Sequence, residues 1–187
     1  MWALVHQQLY NAGEAMLTGD KELAYKVISR ERRVNAFELK IDSDCEDIIA
    51  LYAPVAIDLR FVLAMYKINT NLERLGDFAE SIARFAGNLP EGEPIDPQLV
   101  KETRVEEMLS ELLSMISLTK EAFEKESSEI ASRIFLKDNL IDEINHNSTA
   151  IIAKYIEEHK GSALAGLYMA GVIRLSLIHI SEPTRPE

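Results

Sequence analysis

Apolar side chains recur at alternating spacings of three and four residues along most of this chain, and no stretch has the sustained alternation of a β-strand. The clearest stripe lies on one face of a helix predicted after Asp58: Phe61, Met65, Ile68, Leu72, Leu75, Ala79 and Ile82. Such a stripe is typical of a helix packed in a bundle. The pattern therefore predicts an all-α protein.

Turn and capping residues divide this pattern into six predicted helices. We place the helices at about residues 2–17, 21–52, 58–86, 98–125, 128–158 and 165–174. Asp58 is the expected cap of the third helix, and Asp96-Pro97 reads as the start of the fourth. The second helix should turn these residues inward: Val27, Val34, Phe37, Ile41, Cys45, Ile48 and Tyr52.

Three helices, a loop rich in proline and glycine, and three more helices indicate an internal duplication. The segment IIALY at 48–52 is similar to the segment IIAKY at 151–155. We therefore expect two tandem antiparallel three-helix bundles. The expected division is a first repeat at 1–87, a linker at 88–97, a second repeat at 98–174 and a tail at 175–187.

The tail departs from this pattern. The string LSLIHISEPTRPE brings two prolines into a segment that should continue the bundle, and it looks like translated vector sequence. The first helix also looks short. We therefore expect a chain truncated at both ends, with a non-native tail and an incomplete second bundle.

Charge and composition exclude several classes of function. A net charge of −11 argues against nonspecific binding to nucleic acid or anionic membranes. No apolar run reaches the roughly 18 residues that span a bilayer, and the start lacks the features of a signal peptide. The single cysteine, Cys45, lies on an apolar stripe and reads as a buried thiol. These features together predict a cytoplasmic protein without membrane insertion.

Acidic pairs four residues apart are weak evidence by themselves. The chain carries 31 acidic residues, and six such pairs compare with about five expected by chance. Only the position of a pair on its helix can distinguish a binding site from a chance pair. Glu73 and Asp77 lie one turn apart beside the apolar stripe rather than opposite it. A helix can offer oxygen ligands there to a hard cation that it shares with a neighbouring helix.

The second and third helices should form an antiparallel hairpin that turns near Val55, which places Glu38 level with Glu73. Two polar strips then face one groove: Glu31, Asn35, Glu38 and Asp42 on the second helix, and Glu73 and Asp77 on the third. An all-oxygen set favours Mg, Ca, Mn or oxidised iron. Periodicity alone favours a solvated acidic face whose counter-ions are Arg32, Arg33 and Arg74.

The second half carries a similar pair, Asp138 and Asp142, on the fifth predicted helix. Its hairpin should turn near His159, so the residues level with this pair are about 176–180. Those residues belong to the foreign-looking tail. We therefore expect half of a second site to be missing.

Several motifs together resemble the PhoU family. They are Asp58-Leu59-Arg60 after Pro54, and Leu72-Glu73-Arg74-Leu75-Gly76-Asp77, preceded by Val34-Asn35, Glu38 and Ile41-Asp42. The resemblance covers about residues 5 to 174. It implies duplicated three-helix bundles and a regulator, not an enzyme, of phosphate uptake and phosphate-starvation signalling.

The resemblance also implies partners and a cofactor. PhoU-like proteins act as adaptors between the phosphate ABC transporter and a phosphate-sensing histidine kinase, and we expect a homodimer. Family members bind metal ions, as an iron cluster or as Mg, Mn or Zn, through acidic motifs. Carried across by position, the implied ligands are Glu38, Asp42, Glu73 and Asp77, with Asp138 and Asp142 for a second site.

Two other functions remain open on the residues. One is a carboxylate-bridged di-iron enzyme, which Glu143-x-x-His146 suggests by its spacing, although such a site needs two of these pairs. The other is a metal-free helical scaffold whose acidic strips are only solvated.

Overall fold

The computed structural model describes residues 1–89, 95–159 and 163–180, apart from the side chains of 135, 136 and 175–180. These residues form seven helices and no strand, which confirms the all-α prediction. The helices are α1 (Trp2–Thr18), α2 (Lys21–Tyr52), α3 (Ala56–Asn88), α4 (Pro97–Thr103), α5 (Val105–Glu124), α6 (Ser128–Glu158) and α7 (Ala163–Ile180). In the described part of the chain, no helix is long and apolar enough to cross a membrane.

Short polar signals set several helix ends where the sequence predicts them. Gly19 ends α1 with a φ of 72°, a conformation that glycine adopts without steric cost. Asp20 then caps α2 by accepting a hydrogen bond from the Leu23 amide at 2.9 Å. Asp96 caps α4 in the same way, through the Gln98 amide at 2.8 Å. The loop at 90–94 and the turn at Gly161-Ser162 lie outside the described residues.

The predicted start of α3 is wrong by two residues. The helix begins at Ala56, its N-cap residue is Val55, and no side chain caps it. Because the Asp58 amide already donates to the Val55 carbonyl at 3.2 Å, Asp58 lies inside the first turn and does not cap the helix.

The predicted fourth helix at 98–125 is also wrong as one element, because the chain breaks at Arg104. This residue has a φ of 55°, which ends α4 and begins α5. Its guanidinium donates to Glu107 on α5 and to Glu143 on α6, at 2.7 and 2.9 Å. These two contacts hold the left-handed backbone of a residue that would otherwise avoid it.

The backbone of α7 continues to Ile180, six residues beyond the predicted end at Arg174. The segment 175–180 is therefore helical, and the predicted end of this helix at Arg174 is wrong. Residues 181–187 lie outside the described part of the chain. The non-native origin of the tail stays a prediction, as does the division into repeats at 1–87, 88–97 and 98–174.

The core is one continuous cluster to which all seven helices contribute. Within the first half, α1 packs against both α2 and α3, while α6 packs against α5 and α7 in the second half. Contacts of α1 with α5 and of α3 with α7 join the halves. The largest fully buried side chains of the core include Phe78, Leu9, Met16, Leu112 and Ile173.

The hairpin of α2 and α3 is only partly covered by α1. The first helix has 17 residues, whereas α2 and α3 have 32 and 33, so it can reach only about half of their length. Val27, Val34 and Cys45 are buried as predicted. The inward assignment is wrong at Phe37, Ile48 and Tyr52, which are 41 %, 40 % and 76 % exposed.

The two long helices pack closely at Gly76 and Val34. A β-carbon added to Gly76 would lie 2.8 Å from Cγ1 of Val34. Valine is stiff in a helix because its branched Cβ favours one rotamer, so Val34 cannot easily turn away. Glycine at position 76 therefore sets the spacing between the helices.

We expect Gly76→Ala to destabilise the protein by about 1 kcal/mol, since overpacking outweighs the gain in helix propensity. Gly87→Ala on the same helix is the matched control, because no atom lies within 4 Å of the added carbon. That control should stabilise the protein slightly. Urea unfolding of both variants provides the measurement, and equal effects of the two substitutions would contradict the close approach.

Candidate metal-binding carboxylate groove

Eight polar side chains line the interface between α2 and α3, and we call them the carboxylate groove. They are Glu31, Asn35, Glu38 and Asp42 on α2, and Asn69, Glu73, Asp77 and Glu80 on α3. The contact between Val34 and Gly76 fixes the pairing of the helices. It matches the predicted hairpin register, and Glu38 and Glu73 interact as that register requires.

Asn69 joins the two sides of the groove. Its side-chain amide donates to the backbone carbonyl of Glu38 at 2.9 Å and to Oδ1 of Asp42 at 2.7 Å. Asn69 is almost fully buried. It therefore fixes the position of Asp42, and ties the α2 backbone at Glu38 to α3.

Burial and like charges raise the pKa of Glu73 from 4.5 to about 7. Burial has the largest effect, followed by the charges of Asp77 and Glu38. A hydrogen bond to Asp77 also favours the protonated form of Glu73. The carboxyl group is thus held where its negative charge is costly.

Burial and like charges also raise the pKa values of two acids on α2, Glu31 and Glu38. Burial and the charges of Asp42 and Asp77 raise the pKa of Glu38. Burial and the charges of Glu80 and Asp77 raise the pKa of Glu31. Arg32, one of the counter-ions considered above, lowers the pKa of Glu31, but the opposing effects are larger.

The groove offers oxygen atoms to a cation. Oε1 of Glu31 and Oδ1 of Asn35 are buried, and neither is hydrogen-bonded within the protein. Carboxylate and amide oxygens suit Mg²⁺, Ca²⁺, Mn²⁺ and oxidised iron. A bound cation would also offset the like charges that, after burial, raise these pKa values, so the residues present fit such an ion.

The donors do not surround a common point in this conformation. Among the described residues, no group of three or more His, Cys, Asp and Glu side chains is arranged to hold one ion. Ion binding would therefore require the carboxylates to rotate towards each other. The assignment of Glu38, Asp42, Glu73 and Asp77 as ligands stays a prediction.

Sequence reasoning missed Asn69 and Glu80 as members of this groove. Both follow from the hairpin register, because Asn69 lies level with Asp42 and Glu80 with Glu31. Neither residue belongs to an acidic pair four residues apart. The signal that the sequence does carry for them is a polar side chain level with an acid on the partner helix.

Asp138 and Asp142 lie on α6, away from the groove. Asp138 is half-buried and Asp142 is exposed. The predicted register of α6 and α7 is confirmed by Gly166, whose added β-carbon would meet Ile156 and Ile152. The side chains of 176–180, where the partners of these two aspartates are expected, lie outside the described residues.

Glu143 of the Glu143-x-x-His146 pair accepts the hydrogen bond from Arg104 described above, so it holds the break between α4 and α5. This contact gives Glu143 a structural role. Nothing in the described part of the chain adds a second pair of that kind beside it.

The raised pKa of Glu73 predicts that the groove destabilises the protein as pH rises. The folded state binds the Glu73 proton more tightly than the unfolded chain, so the free energy of unfolding should fall between pH 4.5 and about 7. Allowing for solvent screening, we expect a loss of about 1 kcal/mol, or about 2–4 °C in Tm.

Glu73→Gln should flatten this pH dependence between pH 4.5 and about 7 and raise Tm at pH 8. Thermal melts monitored by circular dichroism measure both effects. Glu129→Gln, an exposed acid on α6, is the control. An unchanged slope in Glu73→Gln would contradict the electrostatic account of the groove.

Comparison with known proteins identifies the class of this helical bundle. The family model described as PhoU domain matches residues 1–86 and 105–179. The crystal structure of PhoU from Pseudomonas aeruginosa has a TM-score of 0.83 at 26 % identity, covering 96 % of this chain and 85 % of that one. The structure of the phosphate transport system regulatory protein PhoU from Streptococcus pneumoniae has a TM-score of 0.80 at 28 % identity, covering 96 % and 84 %.

Curated relatives agree with these structures. The phosphate-specific transport system accessory protein PhoU homolog of Aquifex aeolicus is 32 % identical over 176 residues, which cover 93 % of this chain and 77 % of the relative. The accessory protein PhoU of Escherichia coli strain K12 is 32 % identical over 173 residues, covering 91 % and 70 %. The chain belongs to the PhoU family.

Proposed function

We propose that this chain is a regulatory accessory protein of a phosphate-specific transport system. The observation that carries the proposal is its similarity, over about nine-tenths of its length, to relatives that bear this name. In finer terms, it acts as an adaptor between the phosphate ABC transporter and a phosphate-sensing histidine kinase, as a homodimer. It regulates phosphate uptake and phosphate-starvation signalling and performs no chemistry of its own.

The carboxylate groove gives this adaptor a metal-dependent element. Burial, and after it the charges of neighbouring acids, raise the pKa values of Glu31, Glu38 and Glu73, so ionised carboxylates in the groove are costly without a cation. A divalent cation or an iron ion bound there would neutralise that charge and tie α2 to α3. Metal binding would thereby fix the relative position of α2 and α3, the hairpin that a partner protein recognises.

We expect the groove to bind Mn²⁺ or iron, and Glu73→Gln with Asp77→Asn to lose most of the bound metal. Elemental analysis after metal loading and dialysis measures the content, and titration calorimetry with Mn²⁺ measures affinity. Glu129→Gln with Glu157→Gln removes the same charge from exposed positions on α6 and should bind metal normally. Equal metal content in both double variants would contradict the site.

The adaptor function predicts direct binding to two purified partners. Immobilised transporter and the cytoplasmic part of the kinase should each capture this chain, and a chelator should weaken capture at least several-fold. The groove variant should reproduce the effect of the chelator. Failure of the intact, metal-loaded chain to bind either partner would reject the adaptor function. If neither the chelator nor the groove variant weakens binding, only the role of the metal is rejected.

A further inference from the structure

Asn69 has a buried oxygen atom that the fold leaves without a hydrogen bond. The residue is 1 % exposed, and its Oδ1 accepts no hydrogen bond from any described residue. A buried acceptor without a donor is destabilising, so native structures rarely keep one without a use. With the oxygens of Glu31 and Asn35 described above, three such atoms lie in the carboxylate groove.

The hydrogen bonds of Asn69 determine which way its amide faces. The nitrogen donates both to the backbone carbonyl of Glu38 and to Oδ1 of Asp42. Carbonyl and carboxylate oxygens accept hydrogen bonds, so the nitrogen of the amide, and not its oxygen, has to face them. A flip of the amide would lose both bonds. Oδ1 is therefore held at a fixed position in the interface of α2 and α3.

The surroundings of this oxygen suit a cation. Asn69 lies one turn before Glu73 on the same face of α3, and it is bonded to Asp42 across the groove. Amide and carbonyl oxygens are ordinary ligands of Ca²⁺ and also suit Mg²⁺ and Mn²⁺. A neutral amide also adds a donor atom without adding negative charge to a groove whose acids already repel one another.

Gln8 shows that burial of an amide is not enough for such a site. Its side chain is also 1 % exposed, donates to the backbone carbonyl of Val27 on α2 at 2.8 Å, and has an oxygen without a hydrogen bond. However, its partner is a backbone carbonyl, whereas the amide of Asn69 is bonded to an acid as well. Gln8 therefore provides a matched control for Asn69.

We propose that Oδ1 of Asn69 is a ligand of the cation in the carboxylate groove, together with the carboxylates of Asp42 and Glu73. The inference rests on the metal-dependent part of the proposed function, and it adds a neutral ligand to a set that was predicted from acidic pairs alone. Because a hydrogen bond already joins Asn69 to Asp42, these two side chains form the preorganised part of the site. The amide oxygen also favours hard cations over soft ones.

Two substitutions distinguish a ligand from a residue that only positions Asp42. Neither an ionised aspartate nor a leucine at position 69 can donate a hydrogen bond to Asp42, but the aspartate keeps an oxygen where the amide oxygen lies. We expect Asn69→Leu to weaken Mn²⁺ binding by the full chain about tenfold or more. Asn69→Asp should bind Mn²⁺ within about threefold of the parent, or more tightly. Titration calorimetry measures the affinities, and circular dichroism checks that each variant is folded.

Two control variants isolate the effects of charge and of burial. Thr70→Asp adds the same charge at the neighbouring exposed position and should leave the Mn²⁺ affinity within about twofold of the parent. Gln8→Leu removes a buried amide that also bonds to α2, so it should lower Tm and leave the Mn²⁺ affinity unchanged.

Asn69→Cys tests direct contact with the ion. A thiolate prefers soft cations, so this variant should bind Cd²⁺ about tenfold or more tightly than the parent does. An ultraviolet charge-transfer band between thiolate and Cd²⁺ should appear with binding. The parent retains Cys45, so it provides the baseline for that thiol.

The outcomes separate the inference from the proposed function. Equal weakening by Asn69→Asp and Asn69→Leu would make Asn69 a positioning residue, and unchanged affinity in both would remove it from the site. Either result, or a cysteine variant without the charge-transfer band, overturns the inference while the metal-dependent part of the proposed function stands. A parent chain that binds no Mn²⁺ removes that part as well.

Discussion

The close pairing of α2 and α3 is the constraint on which the rest of the structure depends. Gly76 lets the two backbones approach until Val34 fills the space where a β-carbon would lie. That contact fixes the register of two helices of more than 30 residues each. Because the register is fixed, two acidic strips that are separate in sequence must share one groove. The chemistry of the groove is therefore a consequence of packing.

The core stabilises the pairing of α2 and α3, whereas the carboxylate groove destabilises it. The part of the hairpin that α1 covers contributes Val27, Phe78 and Ile82 to the core and holds the fold together. The carboxylates of the groove lie alongside these core residues and repel one another, and towards the turn the large apolar side chains of Leu51, Tyr52, Val55 and Ile57 are exposed. Packing thus stabilises the pairing of the two helices, while like charge along the groove opposes it. A cation bound in the groove would remove that opposition.

Elements governed by local chemistry could be predicted from the sequence. Asp20 and Asp96 cap helices where capping residues should, and the turn after Tyr52 follows from Pro54. The hairpin register also followed, since the turn position fixes which residues lie level. The same register predicted that Glu38 lies close to Glu73.

Elements governed by distant contacts could not be predicted. The break at Arg104 depends on Glu143, which lies 39 residues away, and nothing local distinguishes an arginine with positive φ. The exposure of Ile48 and Tyr52 depends on how far α1 reaches, which periodicity within α2 cannot reveal. Whether Glu73 and its neighbours are ligands depends on rotations that neither the sequence nor this conformation specifies.

The central proposal is that a cation binds in the groove between α2 and α3. Paramagnetic broadening by substoichiometric Mn²⁺, followed in amide NMR spectra of the isotope-labelled chain, locates the ion directly. The account predicts that amides of residues 31–42 and 69–80 broaden first and together, and that excess Mg²⁺ reverses the effect. Broadening spread evenly over the exposed acids of α5 and α6, or centred away from the groove, would contradict it.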